Sequence, residues 1–198
     1  NWVVYGTGEN FLRARQTVTG KMFEFSTDGT ESQSAIDDAE RFVAYTVRAD
    51  SVVVRSLVSG AVVAQKSFNG YVNRLHFVPN TGEIVIIQRD QTESDLANQT
   101  IAKIWNPSGG EEPSRTVRLH DYNIQTSARS ADGTAVALSN GRDIRIFRLD
   151  NLLDENARIR QNGEHFVTAV GFSPNGSALA AGYDDGTIVV WDLANSEP

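Results

Sequence analysis

The sequence predicts an all-β fold assembled from a repeated antiparallel unit, and three observations lead there. Residues 165–192 read as three short strands. Val167, Ala169 and Gly171 alternate with residues of the other face, Ser173-Pro174-Asn175-Gly176 supplies turn residues, and Leu179 to Tyr183 is a second apolar run. Asp184-Asp185-Gly186 is a hairpin signal before the third run, Ile188 to Trp191. Next, the place of Trp191 recurs upstream at Phe147, Trp105, Arg55 and Arg15, at separations of 44, 42, 50 and 40 residues. Finally, the residues three and one before each anchor are always apolar: Leu12 and Ala14, Val52 and Val54, Ala102 and Ile104, Ile144 and Ile146, Ile188 and Val190. A repeat whose columns keep one chemistry is one supersecondary unit used several times.

The closing segment resembles a WD40 repeat. Phe172-Ser173-Pro174-Asn175-Gly176 matches that family's F-S-P-D-G turn, and Trp191-Asp192 matches its naming dipeptide. The resemblance implies a β-propeller of four-stranded antiparallel WD40 blades, with about four and a half blades in this chain. Strands are lettered a to d from the inside of a blade outwards. Trp2–Tyr5, Phe11–Arg15 and Lys21–Phe25 read as b, c and d of a partial blade over residues 1–30. Residues 31–70 hold a full blade: Gln33–Ile36, Phe42–Val47, Val52–Leu57 and Ala61–Phe68. Residues 71–120 hold the next: Val72–Phe77, Glu83–Gln88, Thr100–Trp105 and Arg115–Leu119. A third spans 121–163, with Ile124–Arg129, Ala135–Ser139, Ile144–Leu149 and Ala157–Arg160. Val167–Phe172, Leu179–Gly182 and Thr187–Trp191 form the partial blade of 164–198.

Physical chemistry supports each assignment. A blade exposes two apolar faces and becomes stable only between neighbours, so its inner strands are nearly continuous β-branched runs such as Val52-Val53-Val54 and Ile188-Val189-Val190. The interval of 50 residues marks an insertion at 90–99, polar and carrying Asp90, Glu93 and Asp95. A solvated surface loop accounts for it, and so does a docking elaboration. The strand count leaves the first unit without strand a and the last without strand d. The chain is therefore expected to be part of a longer propeller, with further blades or another domain outside it; a five-bladed ring with two overlooked strands is the alternative.

Many WD40 repeats share a buried polar set of His, Ser or Thr, Asp and Trp. Carried over residue by residue, Trp105, Phe147, Asp185 and Trp191 occupy structural repeat positions, but no repeat keeps the full set. Ala181 takes the Ser position in the last unit, and His165 lies two residues closer to its strand than the family's His. Phe68 replaces the His beside Trp105. His120 aligns in the third blade, but Ala137, Gly141 and Phe147 stand where its partners belong. A set this degenerate has to be completed or replaced by apolar packing.

The chemistry expected is that of binding. The net charge of −7 argues against a nucleic-acid footprint, and no apolar run is long enough to span a membrane as a helix. Zero cysteines exclude thiolate sites and a Cys nucleophile and are compatible with a cytoplasmic location. His76, His120 and His165 show no zinc-type spacing, Gly6-Thr7-Gly8 fails as a phosphate loop, and no nucleophile elbow occurs, so no catalytic, cofactor or metal residues are expected. One pattern points to a partner. Tyr71 and Phe166 both lie six residues before the aromatic of strand a, with Tyr122 nearly equivalent. The resemblance places these d–a loops on the top face with the b–c insertion, so Tyr71, Tyr122, Phe166, Asp90, Glu93 and Asp95 are the candidate contacts. Packing of these aromatics against neighbouring loops is the competing explanation. The function expected is a non-enzymatic scaffold or sensor module that binds a protein or peptide, as the WD40 part of a larger signalling protein. An enzyme or small-ligand propeller using its central channel is the alternative.

Overall fold

The computed structural model describes residues 1–7, 10–27, 33–91, 99–110, 112–119, 124–149, 155–160 (backbone alone) and 165–193. Within these, eighteen strands form five antiparallel sheets and no helix. No helix is therefore long and apolar enough to cross a membrane. The chain divides into two compact units, residues 1–119 and 120–198.

The first unit holds three sheets, each a meander. The first is β1 (Trp2–Gly6), β2 (Phe11–Gln16) and β3 (Met22–Ser26). The second is β4 (Ser34–Ile36), β5 (Phe42–Arg48), β6 (Ser51–Ser56) and β7 (Val62–Ser67). The third is β8 (Gly70–Phe77), β9 (Ile84–Asp90), β10 (Thr100–Trp105) and β11 (Arg115–Arg118). The second unit holds β12 (Thr126–Arg129), β13 (Ala135–Ser139), β14 (Asp143–Arg148) and β15 (Glu155–Arg160) in one sheet. β16 (Val167–Phe172), β17 (Ala178–Tyr183) and β18 (Ile188–Asp192) form the other. The order of strands follows the sequence reading, in sheets of three, four, four, four and three.

Packing within each unit is face to face. In the first unit Leu12, Ala14 and Phe25 meet Val43, Tyr45 and Val53, while Val52, Val54 and Ala44 join a cluster with Phe77, Ile84, Ile86 and Trp105. In the second, Ala137, Ile144 and Ile146 cluster with Val167, Leu179 and Ala181. An aromatic ladder runs along the first core: Trp2 stacks on Phe23 at 5.7 Å, Phe23 on Phe25 at 5.9 Å, and Phe25 on Tyr45 at 5.4 Å. Arg55 covers Phe25 from one side at 5.0 Å and spends its N–H groups on the Tyr45 hydroxyl and the Gly60 carbonyl.

The repeated apolar column is buried in four of its five copies. Leu12, Ala14, Val52, Val54, Ala102, Ile104, Ile144 and Ile146 are all buried, whereas Ile188 is 73% and Val190 64% exposed. The fifth copy thus departs from expectation. β16 and β17 continue this face with Ala169 and Gly182 beside Ile188, and Gly171 and Ala180 beside Val190.

Turns explain why the strands end where they do. Between β12 and β13, Ser130 and Thr134 hydroxyls donate to the Asp132 carboxylate, the Thr134 N–H donates to it at 3.0 Å, and the Ala135 N–H returns to Ser130 Oγ at 2.9 Å. Ser173, Asn175, Ser177 and Ala178 repeat this pattern between β16 and β17. Gly133 and Gly176 close the two turns at φ 72° and 71°, a region that side chains disfavour. These carboxylate bonds hold the Asp132 pKa down at about 2.

Candidate partner-binding site

The second unit builds a surface site from three short segments at one rim. Phe166 leads into β16, and its backbone is clipped to the β17–β18 turn. Its N–H donates to Asp184 Oδ1 at 3.0 Å, and its carbonyl accepts from the Asp184 N–H at 2.9 Å. The next N–H, of Val167, donates to the Gly141 carbonyl at 2.5 Å, on the β13–β14 turn. The Phe166 backbone therefore lies between two turns, and its ring sits beside the first. Gly141, at φ 110°, makes room for it, since a Cβ there would lie 3.3 Å from Phe166 Cδ1. The Arg142 guanidinium sits over the ring, 5.1 Å from its centroid, and the residue is still 45% exposed.

Asp185 is fixed by its own turn, accepting from the Thr187 N–H at 2.9 Å and hydroxyl at 2.8 Å. The Thr187 backbone bond is the main reason its pKa is lowered; the nearby His165 adds to this. His165 Nδ1 lies 3.3 Å from Asp184 and its Nε2 3.5 Å from Asp185. Ligand atoms of this exposed trio lie within 4.8 Å of one another, so it is the kind of group that can hold a metal ion. The sequence reading missed it because His165 and the two aspartates sit on different elements and only strand pairing brings them together. The carboxylates are already engaged by Phe166 and Thr187, which accounts for their positions without an ion.

In the first unit Tyr71 is 43% exposed and stands opposite Arg89 across the β8–β9 pair. Asp90 was expected at the surface, and this is corrected: it is only 2% exposed. β9 runs on to Asp90, which pairs with Gly70, and the Asp90 N–H donates to Gln99 at 2.9 Å. Its side chain faces inward with that of Gln88, whose Nε2 donates to the Phe68 carbonyl at 2.7 Å. Lys103 Nζ reaches the same carbonyl at 3.4 Å. Burial lowers the Lys103 pKa, and the Asp90 charge offsets part of that shift. Gly70 is required here, because a Cβ would meet the Arg89 carbonyl oxygen at 2.3 Å. Asp90 thus anchors the base of the insertion. Glu93, Asp95, Tyr122 and His120 lie outside the described residues.

The repeat positions are placed in turn. Trp105 is buried, its indole N–H donates to the Gly110 carbonyl at 3.2 Å, and Phe68 packs edge-on against it at 5.5 Å. An aromatic pair fills the place of the polar set in that blade. Phe147 is buried and Trp191 is half-buried against the β13–β14 cluster. Two clefts open in the first unit, both beside β7. One of about 530 Å³ is lined by Gln65, Lys66, Trp105 and Pro107 among others, and one of about 410 Å³ by Thr27, Arg48, Ser51 and Ser67 among others. Among the described residues, neither is lined by a carboxylate.

Comparison with known proteins places one part of the chain in a family. The family model described as WD domain, G-beta repeat, matches residues 157–192. That segment carries a WD40 repeat. Protein tipD of Dictyostelium discoideum is 28% identical over 99 residues, which are 48% of this chain and 16% of tipD. A chain in the crystal structure of the mitotic checkpoint complex superposes with a TM-score of 0.74 at 14% identity, over 100% of this chain and 61% of that one. At that identity the likeness shows the fold alone, a partial β-propeller. The chain thus spans less than two thirds of either protein. WD40 propellers are generally protein-interaction scaffolds and generally non-enzymatic.

Proposed function

We propose that this chain is a non-enzymatic scaffold that binds a protein or peptide through its b–c turns and d–a loops. The observation that carries the reading is Phe166, a large aromatic clipped by two backbone bonds to a turn and yet nearly half exposed. A buried ring would have been explained by packing; a fixed, exposed one suits contact with a partner, where aromatics dominate the energy. Tyr71 offers the same chemistry in the first unit.

The proposal extends to setting. The protein acts in the cytoplasm, as one WD40 domain or part of one within a larger signalling protein. Its net charge of −7 favours neither nucleic acid nor an anionic membrane as partner. A further blade covers the β16–β18 face; the exposure of Ile188 and Val190 supports this, because the other four copies of that column are buried.

Selection from a random displayed peptide library tests the reading. Enrichment on the wild-type chain, lost with Phe166→Ala or Tyr71→Ala at unchanged circular dichroism, is the expected result. Enrichment that survives both substitutions, or none at all, rejects it.

A further inference from the structure

The surroundings of Phe166 also specify what kind of peptide fits. Val167 is bonded to the β13–β14 turn and Phe166 to the β17–β18 turn, so the backbone at Phe166 lies between the two turns. The two turns carry opposite charge. On the first, Arg142 is exposed, holds its guanidinium over the ring at 5.1 Å and, among the described residues, has no ion-pair partner. Its N–H groups remain available for a carboxylate, which a planar guanidinium can bind while it also contacts a ring. On the second turn stand two exposed carboxylates, Asp184 and Asp185, with the His165 ring beside them.

We infer that this site recognises an extended peptide segment that presents an acidic, an apolar and a basic side chain in spatial order. The acidic group pairs with Arg142, the apolar group packs on the open part of the Phe166 ring, and the basic group meets Asp184 and Asp185. A uniformly acidic segment is repelled by the two aspartates, and a uniformly basic one leaves the Arg142 charge opposed. Charge order of this type gives specificity and register more than raw affinity. The inference rests on the reading of Phe166 as a contact residue and adds the chemistry of its partner.

The test uses three fluorescein-labelled peptides: Ser-Glu-Ser-Leu-Ser-Lys-Ser, its counterpart with two glutamates and its counterpart with two lysines. Anisotropy titrations on the full chain should rank the mixed peptide first, with the preference shrinking at high salt as exposed charges are screened. Arg142→Gln should weaken the mixed peptide about two- to fivefold, the range for one exposed ion pair. Arg142→Glu should move the preference to the two-lysine peptide. Asp184→Asn keeps the acceptor for the Phe166 N–H and should reduce discrimination against the two-glutamate peptide. An unchanged ranking in Arg142→Glu, while Phe166→Ala still abolishes binding, overturns the charge order and leaves the contact role of Phe166 standing. Binding unaffected by Phe166→Ala, or no binding by any of the three peptides, overturns the inference; the library selection then decides separately whether the wider reading survives.

Discussion

Two glycines at the same place in successive repeats separate backbone strain from packing. Gly20 and Gly60 close the β2–β3 and β6–β7 turns at φ 73° and 76°. Alanine at either must adopt a left-handed conformation, which costs about 1–2 kcal/mol, and part of this is offset by a stiffer unfolded chain. Their surroundings differ. A Cβ on Gly20 meets nothing within 4 Å, whereas one on Gly60 would lie 2.7 Å from Phe23 Cε1 and 3.0 Å from Cδ1. The ring must move, yet it is stacked on both Trp2 and Phe25 and lies under Lys21 Nζ at 4.8 Å. Each aromatic pair is worth about 0.5–1.5 kcal/mol beyond burial. Gly20→Ala should therefore cost about 1 kcal/mol, and Gly60→Ala about 2–3 kcal/mol. Urea unfolding followed by circular dichroism measures both, read as shifts in midpoint at a common slope. The double variant Gly60→Ala with Phe23→Leu should recover part of the excess, giving a non-zero coupling energy. Equal losses for the two glycines, or zero coupling with Phe23, would refute the argument.

Three further outcomes follow from the structure. Asp132 has a folded pKa of about 2 against an ordinary 3.8, so between these values the unfolded chain binds more protons. Its stabilisation is complete above the ordinary value and fades as pH falls towards 2; the site is exposed, so the loss should stay below about 1 kcal/mol, and Asp132→Asn should flatten that part of an acid titration of stability. Val52→Ala should cost about 2 kcal/mol, as loss of a buried branched side chain does, while Ile188→Ala, in the same column but exposed, should stay within about 0.5 kcal/mol; thermal melts of the two variants check this, and equal losses would show that Ile188 is covered. Phe68→His should not restore the family's polar set beside Trp105, because Gln99 stands where its aspartate would, and should destabilise by about 2–3 kcal/mol in the same assay.

Strand order was legible because periodicity is a one-dimensional property. Val52 and Val54, or Ile144 and Ile146, announce a buried face by spacing alone, and the turn residue Asn175 marks a boundary between runs. The fate of Ile188 and Val190 was not legible. Their spacing is the same as in the other copies, and exposure depends on whether anything lies against them, which no local pattern encodes. Asp90 shows the converse failure. A carboxylate at the edge of a polar insertion reads as solvated, yet β9 continues through it and turns it inward alongside Gln88.

The site divides in the same way. Phe166 could be found from its distance to the next aromatic, because that distance is measured along one repeat. Arg142 could not, since it lies on the preceding sheet and reaches Phe166 only once Val167 bonds to Gly141. Asp184 was visible only as a hairpin residue, and the same carboxylate that closes the Phe166 clip also supplies negative charge beside the ring. In a repeat fold the residues of one blade secure the fold by matching their counterparts in the others. Specificity has to come from positions where adjacent turns differ, as Gly141-Arg142 differs from Asp184-Asp185. That difference is why conservative exchange of Phe166 for tyrosine should leave binding nearly intact, while reversing Arg142 should redirect it.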